Sequence, residues 1–203
     1  MSTSLRRALD FRISEKKDKM SRESQSKSKG KIYNIAITGL MATCLCIVAP
    51  LSIPVGIVPL SFTTFAAFLS LYLIGWKKGV VSYVVYVLIG LAGLPVFSGF
   101  SGGPGRLLGP TGGFIVGIIP AMIIVGAAIE KSKRILIHFV SFAASTVLIY
   151  VSGAAWFCLV TDSDFNAAIA VCVAPFVIAD VVKIIVVMIA GPLIAKRVRM
   201  HRA

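Results

Sequence analysis

The sequence predicts an all-α membrane protein of six transmembrane helices, with both its N- and C-termini cytoplasmic. Three observations carry that prediction. First, 57% of the 203 residues are hydrophobic and only 14% are charged, against about 25% charged in ordinary soluble domains, and the mean hydropathy is +0.91. Second, Lys, Arg, Asp and Glu are absent from 32–76, 79–105, 107–129 and 135–161, and only Asp180 and Lys183 interrupt 165–195. Third, 19 of the 21 Lys and Arg fall in segments that six crossings put on one face of the membrane. Those basic residues mark the cytoplasmic side.

The elements follow in order. A crossing takes roughly 20 apolar residues at about 1.5 Å each. The first run is long enough for two helices, and Pro50, Pro54 and Pro59 mark its division. The predicted spans are therefore about 31–49, 60–76, 80–97, 110–129, 135–160 and 175–195. Strands of a membrane β-barrel would alternate polar and apolar residues, whereas these runs are apolar all round. Ten basic residues precede the first span, Lys77 and Lys78 separate the second from the third, Lys131, Lys133 and Arg134 follow the fourth, and Lys196, Arg197, Arg199 and Arg202 end the chain. Arg106 alone lies on the opposite side. The loops 50–59, 93–110 and 161–174 then share the outer face.

Residues 1–31 form a Ser-, Lys- and Arg-rich segment without apolar residues enough for a core. They are expected to be a disordered cytoplasmic tail attracted to anionic lipid, at about 1 kcal/mol per basic residue near the surface. Residues 32–197 are the membrane domain and 198–203 a basic end. The net charge of +13 belongs to this topology and does not argue for nucleic acid. Cys44, Cys46, Cys158 and Cys172 are scattered over apolar segments and read as small buried hydrophobes; no cluster has metal-ligand spacing.

Two features call for chemistry. In "PFVIADVVKIIVV", Asp180 and Lys183 stand three residues apart on one face of the last helix. A charge at the centre of a membrane helix costs roughly 2.5–3.5 kcal/mol, so such residues mark a site unless they form a structural ion pair. The other feature is "GLPVFSGFSGGPGRLLGPTGGFIVG", residues 93–117, with nine glycines and three prolines. Pro110 suits the start of a helix. The amides of Thr111, Gly112 and Gly113 in its first turn make an anion site, with Arg106 adding charge upstream. Close helix packing is the competing reading of those glycines. His138, Glu130, Asp162 and Asp164 read as interfacial or solvated residues, and no nucleotide loop, catalytic triad or paired catalytic carboxylates emerges.

The glycine-rich stretch resembles the signature of the BioY family, the biotin-binding substrate component (S component) of energy-coupling factor ABC-type transporters. "APFVIADVVK" is similar to that family's Pro-x-x-x-x-Asp-x-x-Lys segment. The resemblance covers about residues 32–197. It implies a six-helix domain in the bacterial cytoplasmic (inner) membrane that captures biotin from outside, with Asp180 and Lys183 as binding residues and no cofactor. Biotin would be the transported substrate. The partners it implies are a transmembrane coupling subunit and two cytoplasmic ATPases, the chain itself being no enzyme. The loops 93–110 and 50–59 would gate the pocket. Substrate components of this class carry an Ala-x-x-x-Ala pattern on helix one, and here Ala36 is followed by Leu40, with Gly39-x-x-x-Thr43 as the small-residue pair. The chain would then be energised by ATPase partners, or move biotin down its gradient alone or as an oligomer. The competing readings are an S component for another vitamin, an intramembrane enzyme using His138 or Asp180, and a structural membrane subunit.

Overall fold

The computed structural model describes residues 3–53, 59–132 and 134–200. The chain divides into two units, Met1–Ile37 and Thr38–Ala203. Helix α1 is Thr3–Val48, so its first part makes the first unit. It includes the segment read from sequence as an irregular tail. That segment is built of Lys, Arg, Glu, Ser and Ala without a proline, residues that accept helical geometry. The remaining elements are a two-stranded hairpin, β1 (Ser52–Ile53) and β2 (Leu60–Ser61), then α2 (Thr63–Ile74), α3 (Trp76–Leu91), α4 (Pro104–Leu108), α5 (Gly112–Lys131), α6 (Ile135–Thr161), α7 (Phe165–Cys172) and α8 (Val177–Met200). The hairpin is antiparallel, pairing Ser52 with Ser61 and Ile53 with Leu60.

Helices occur at each of the six places the sequence marks. Among the described residues, four stretches suffice by length and composition to cross a membrane: Ser28–Val48, Gly112–Lys131, Ile135–Thr161 and Val177–Arg197. The second and third expected spans are shorter and shifted. Gly75, at φ +84°, breaks the chain between α2 and α3 in a conformation that only glycine adopts easily, so Lys77 and Lys78 lie in the first turn of α3 rather than in a loop. α3 ends at Leu91 instead of reaching residue 97, because Gly93 (φ +101°) and Pro95 stop it. The segment 161–174, expected to be an outer loop, is not all loop. Ala168 and Cys172 of α7 are buried against Ala154 and Phe157 of α6 and against Phe176.

The main core of the second unit is filled by Leu45, Tyr83, Tyr86, Phe97, Met122 and Phe142, all almost wholly buried. Two buried hydroxyls in it are paired across helices. Tyr83 donates to the Ile115 carbonyl at 3.0 Å, and Ser145 to that of Ala121 at 3.2 Å. α5 and α6 share the most extensive helix contact, for a reason visible in the sequence. Gly113 and Gly117 lie one turn apart on α5 and face Ser152 and Trp156 of α6, while Gly153 receives the ring of Phe114. Small residues let apolar helices approach closely where no hydrophobic effect draws them together. The Trp156 indole then donates to the Gly109 carbonyl at 3.0 Å and Ser152 to that of Gly113 at 3.4 Å.

A methyl group at Gly113 would run into the Trp156 side chain and the Ser152 backbone carbonyl. Gly113→Ala is therefore expected to destabilise the protein by about 1–3 kcal/mol through overpacking. The change should appear as a lower unfolding temperature in detergent, and an unchanged value would show that α5 and α6 are not held by this contact.

Candidate binding site

One cavity gathers most of the sequence-marked residues. It has a volume of about 730 Å³, including the open space at its mouth, and its wall combines β2, α2, α3, the loop before α5, α6 and α8. Small-molecule sites are mostly apolar with a few polar groups. Here the apolar wall is largely aromatic: Tyr83, Tyr86, Phe97, Phe114, Tyr150 and Phe176. Phe97 packs edge-on to Tyr86 at 5.7 Å, and Tyr86 lies 5.5 Å from Tyr83.

The charged groups come from two elements. α8 starts at Val177, so Asp180 stands in its first turn, where the helix dipole favours a negative charge. Lys183 follows one turn later. Lys183 Nζ donates to Asp180 Oδ1 at 2.9 Å and to the Ser61 carbonyl of β2 at 2.8 Å. The Tyr150 hydroxyl of α6 donates to Asp180 Oδ2 at 2.6 Å. The two side chains are only 14% and 17% exposed. The pair is thus a four-part assembly that joins α8 to α6 and to the hairpin. Lysine has three donors, and two are used.

Arg106, in the short helix α4, supplies the third charge of the wall and donates to the Ser98 carbonyl at 3.3 Å. Thr111 also lines the cavity. Gly112 and Gly113 do not. Both are buried against Leu107, Ser152 and Trp156, so their lack of a side chain serves helix packing. Of the hairpin loop, Pro59, Leu60 and Ser61 reach the cavity, and residues 54–58 lie outside the described residues.

The other titratable groups stand elsewhere. His138 bonds the Tyr72 hydroxyl at 3.2 Å and the Ser132 carbonyl at 2.8 Å, and with Glu130 it lines a different groove. Glu130, exposed at the end of α5, accepts a hydrogen bond from the Trp76 indole. Asp162 caps α6 in the left-handed conformation, and Asp164 precedes α7; both are exposed. All four cysteines are free; Cys44 is exposed rather than buried. Among the described residues no group of three or more His, Cys, Asp or Glu forms a metal site.

Sequence reasoning missed Tyr150, Thr64 and the Ser61 carbonyl. Tyr150 carried one weak signal, a polar-tipped aromatic inside an apolar span. A buried tyrosine hydroxyl needs a partner, but nothing in the sequence says that the partner is 30 residues away.

The chain is similar to known proteins in sequence and in fold. The chain is 36% identical over 148 residues to the biotin transporter BioY of Thermotoga maritima, covering 73% of this chain and 87% of that protein. It is 30% identical over 162 residues to the biotin transporter BioY2 of Lactococcus lactis subsp. cremoris, covering 79% and 89% respectively. The fold matches the crystal structure of the S-component for biotin from an ECF-type ABC transporter with a TM-score of 0.73, at 22% identity, over 83% of this chain and 93% of that one. A model of the BioY family matches residues 19–200. By that match and by its relatives over most of their length, the chain, a multi-pass membrane protein, belongs to the BioY family.

Proposed function

We propose that this chain takes up biotin as the substrate-binding S component of an energy-coupling factor transporter in the bacterial cytoplasmic membrane. The observation that carries the proposal is the cavity itself: an Asp–Lys pair and an arginine on an aromatic wall, in a member of the BioY family. Biotin has a ureido group with two N–H donors and one carbonyl acceptor, an apolar thiophane ring, and a chain that ends in a carboxylate. The Asp180–Lys183 pair offers an acceptor beside a donor, which matches the ureido group. Remaining lone pairs of Asp180 accept ureido N–H, and the third Lys183 donor reaches the ureido carbonyl. The biotin carboxylate would be repelled by Asp180 and goes to Arg106, whose planar fork suits carboxylates. The thiophane ring and the aliphatic chain lie against Tyr83, Tyr86, Phe97 and Phe114. The amides at the start of α5, from Thr111 to Gly113, add positive potential at the carboxylate end.

The topology that goes with this has six crossings and both termini cytoplasmic, supported by the distribution of basic residues. Residues 32–197 form the binding domain, 1–31 a basic cytoplasmic segment drawn to anionic lipid, and 198–203 a short basic end. The cavity then opens outward. The glycine-rich loop is tied to the segment before β1, where the Gly99 amide donates to the Pro50 carbonyl at 3.0 Å. ATP is hydrolysed by two cytoplasmic ATPases joined through a transmembrane coupling subunit. Gly39 and Thr43, exposed on α1, give that subunit a small-residue face.

Radiolabelled biotin should bind the detergent-purified protein saturably and be displaced by unlabelled biotin, not by riboflavin or thiamin. Absence of binding by folded protein, or displacement by another vitamin, would overturn the proposal. Lys183→Ala should weaken binding by at least roughly 30-fold, since truncating one member of a buried hydrogen-bonded charge pair costs about 2–5 kcal/mol. The variant should still reach the membrane; its disappearance from the membrane fraction would instead mark the pair as structural. Arg106→Ala should weaken biotin much more than it weakens biotinamide, and equal losses for the two ligands would remove the carboxylate from Arg106.

A further inference from the structure

Two threonine hydroxyls in the cavity wall have given up every local partner. Thr64 Oγ1 and Thr111 Oγ1 are buried and make no hydrogen bond, and Thr111 is only 8% exposed. Buried polar atoms are nearly always paired, and each exception calls for an explanation. Serines and threonines within helices normally donate to a carbonyl three or four residues back. Within helices this protein follows that habit: Thr43 bonds Gly39 at 3.0 Å, Thr146 bonds Phe142 at 2.9 Å and Thr161 bonds Phe157 at 2.7 Å, whereas Thr64, the second residue of α2, and Thr111 have no carbonyl of their own helix behind them. Thr111 occupies the N-cap of α5, where a threonine hydroxyl ordinarily accepts from an amide of the first turn, yet its side chain makes no capping bond. Thr64 sits next to Thr63, which accepts a bond from the Ser61 hydroxyl at 2.7 Å, while Thr64 itself has none.

Position adds to the argument. Thr64 lines the main cavity and also a smaller adjoining one of about 320 Å³, and in both it stands with Tyr150, Asp180 and Lys183. Thr111 follows Arg106 by five residues on the same wall. Rotation about χ1 exchanges the hydroxyl and methyl of a threonine without moving the backbone, so each oxygen can be turned to whatever fills the cavity.

We infer that the hydroxyls of Thr64 and Thr111 are ligand-binding groups, one for each end of the ligand. This rests on the biotin reading above and extends its recognition beyond the charged residues. Asp180 already accepts from Lys183 and Tyr150, so at that end Thr64 accepts the second ureido N–H. At the other end Thr111 donates to a carboxylate oxygen held by Arg106. A hydroxyl serves both tasks because it donates and accepts.

The test measures biotin binding, and thermal unfolding without ligand, for the full-length protein and its Thr64→Val, Thr111→Val, Thr64→Ser and Thr111→Ser variants in detergent. Each valine variant should bind roughly tenfold more weakly, the loss of about one ligand hydrogen bond, with each serine variant within about threefold of the parent. The unfolding temperature of the ligand-free valine variants should be unchanged or higher, because an unpaired buried hydroxyl has been removed. Valine variants that bind like the parent would overturn the inference and leave biotin binding intact, the hydroxyls being satisfied by buried water. Valine variants that lose ligand-free stability together with affinity would assign the hydroxyls a structural role and overturn it too. A parent protein that binds no biotin would remove the biotin reading and this inference together.

Discussion

Two opposite charges placed one turn apart in an otherwise apolar helix have to be held, and the way they are held organises the site. Asp180 and Lys183 satisfy part of each other's need, but a buried pair gains little unless its remaining lone pairs and protons are also bonded. Tyr150 of α6 and the Ser61 carbonyl of β2 supply those bonds. One ion pair thereby fixes the start of α8 to the neighbouring helix and to a loop 122 residues away in sequence. The loop 50–59 consequently ends at the binding wall. Any ligand group that competes for the lysine also acts on the strand that bounds the cavity.

The glycine-rich stretch divides its work. Gly93 and Gly103 take left-handed backbone conformations and turn the chain, which brings Phe97 and Arg106 to the wall. Gly112, Gly113 and Gly117 instead disappear into the contact with α6. That contact is tight because lipid tails are as apolar as the helices, leaving close packing and a few interhelical hydrogen bonds to hold them. The rigid α5–α6 pair is thus the platform that carries Thr111 and Tyr150. The turns before it position Arg106, so turning and close packing occupy successive parts of one motif.

Membrane character, helix content and the cost of placing Asp180 and Lys183 in an apolar run were legible in the sequence, each for a one-dimensional reason. Apolar runs must pair their own backbone groups in lipid and so become helices. A charge within such a run is expensive wherever the helix lies. The ends of α2 and α3 were less legible, because residue 75 serves as a break only through its φ angle and both flanking runs stay apolar. Helix α7 was hidden in a segment with two aspartates, where its buried Ala168 and Cys172 give little periodic signal.

The sequence by itself determined which segments are apolar enough to be membrane helices, which residues are costly within them, and through its motifs the resemblance to a family. Hydropathy and charge act locally, so they can be read along the chain. Only the tertiary structure decided that Tyr150 meets Asp180, that the Ser61 carbonyl meets Lys183, that Gly112 and Gly113 are buried in helix packing, and that Thr64 and Thr111 stand in the cavity wall. Those outcomes depend on which faces of separate helices come together.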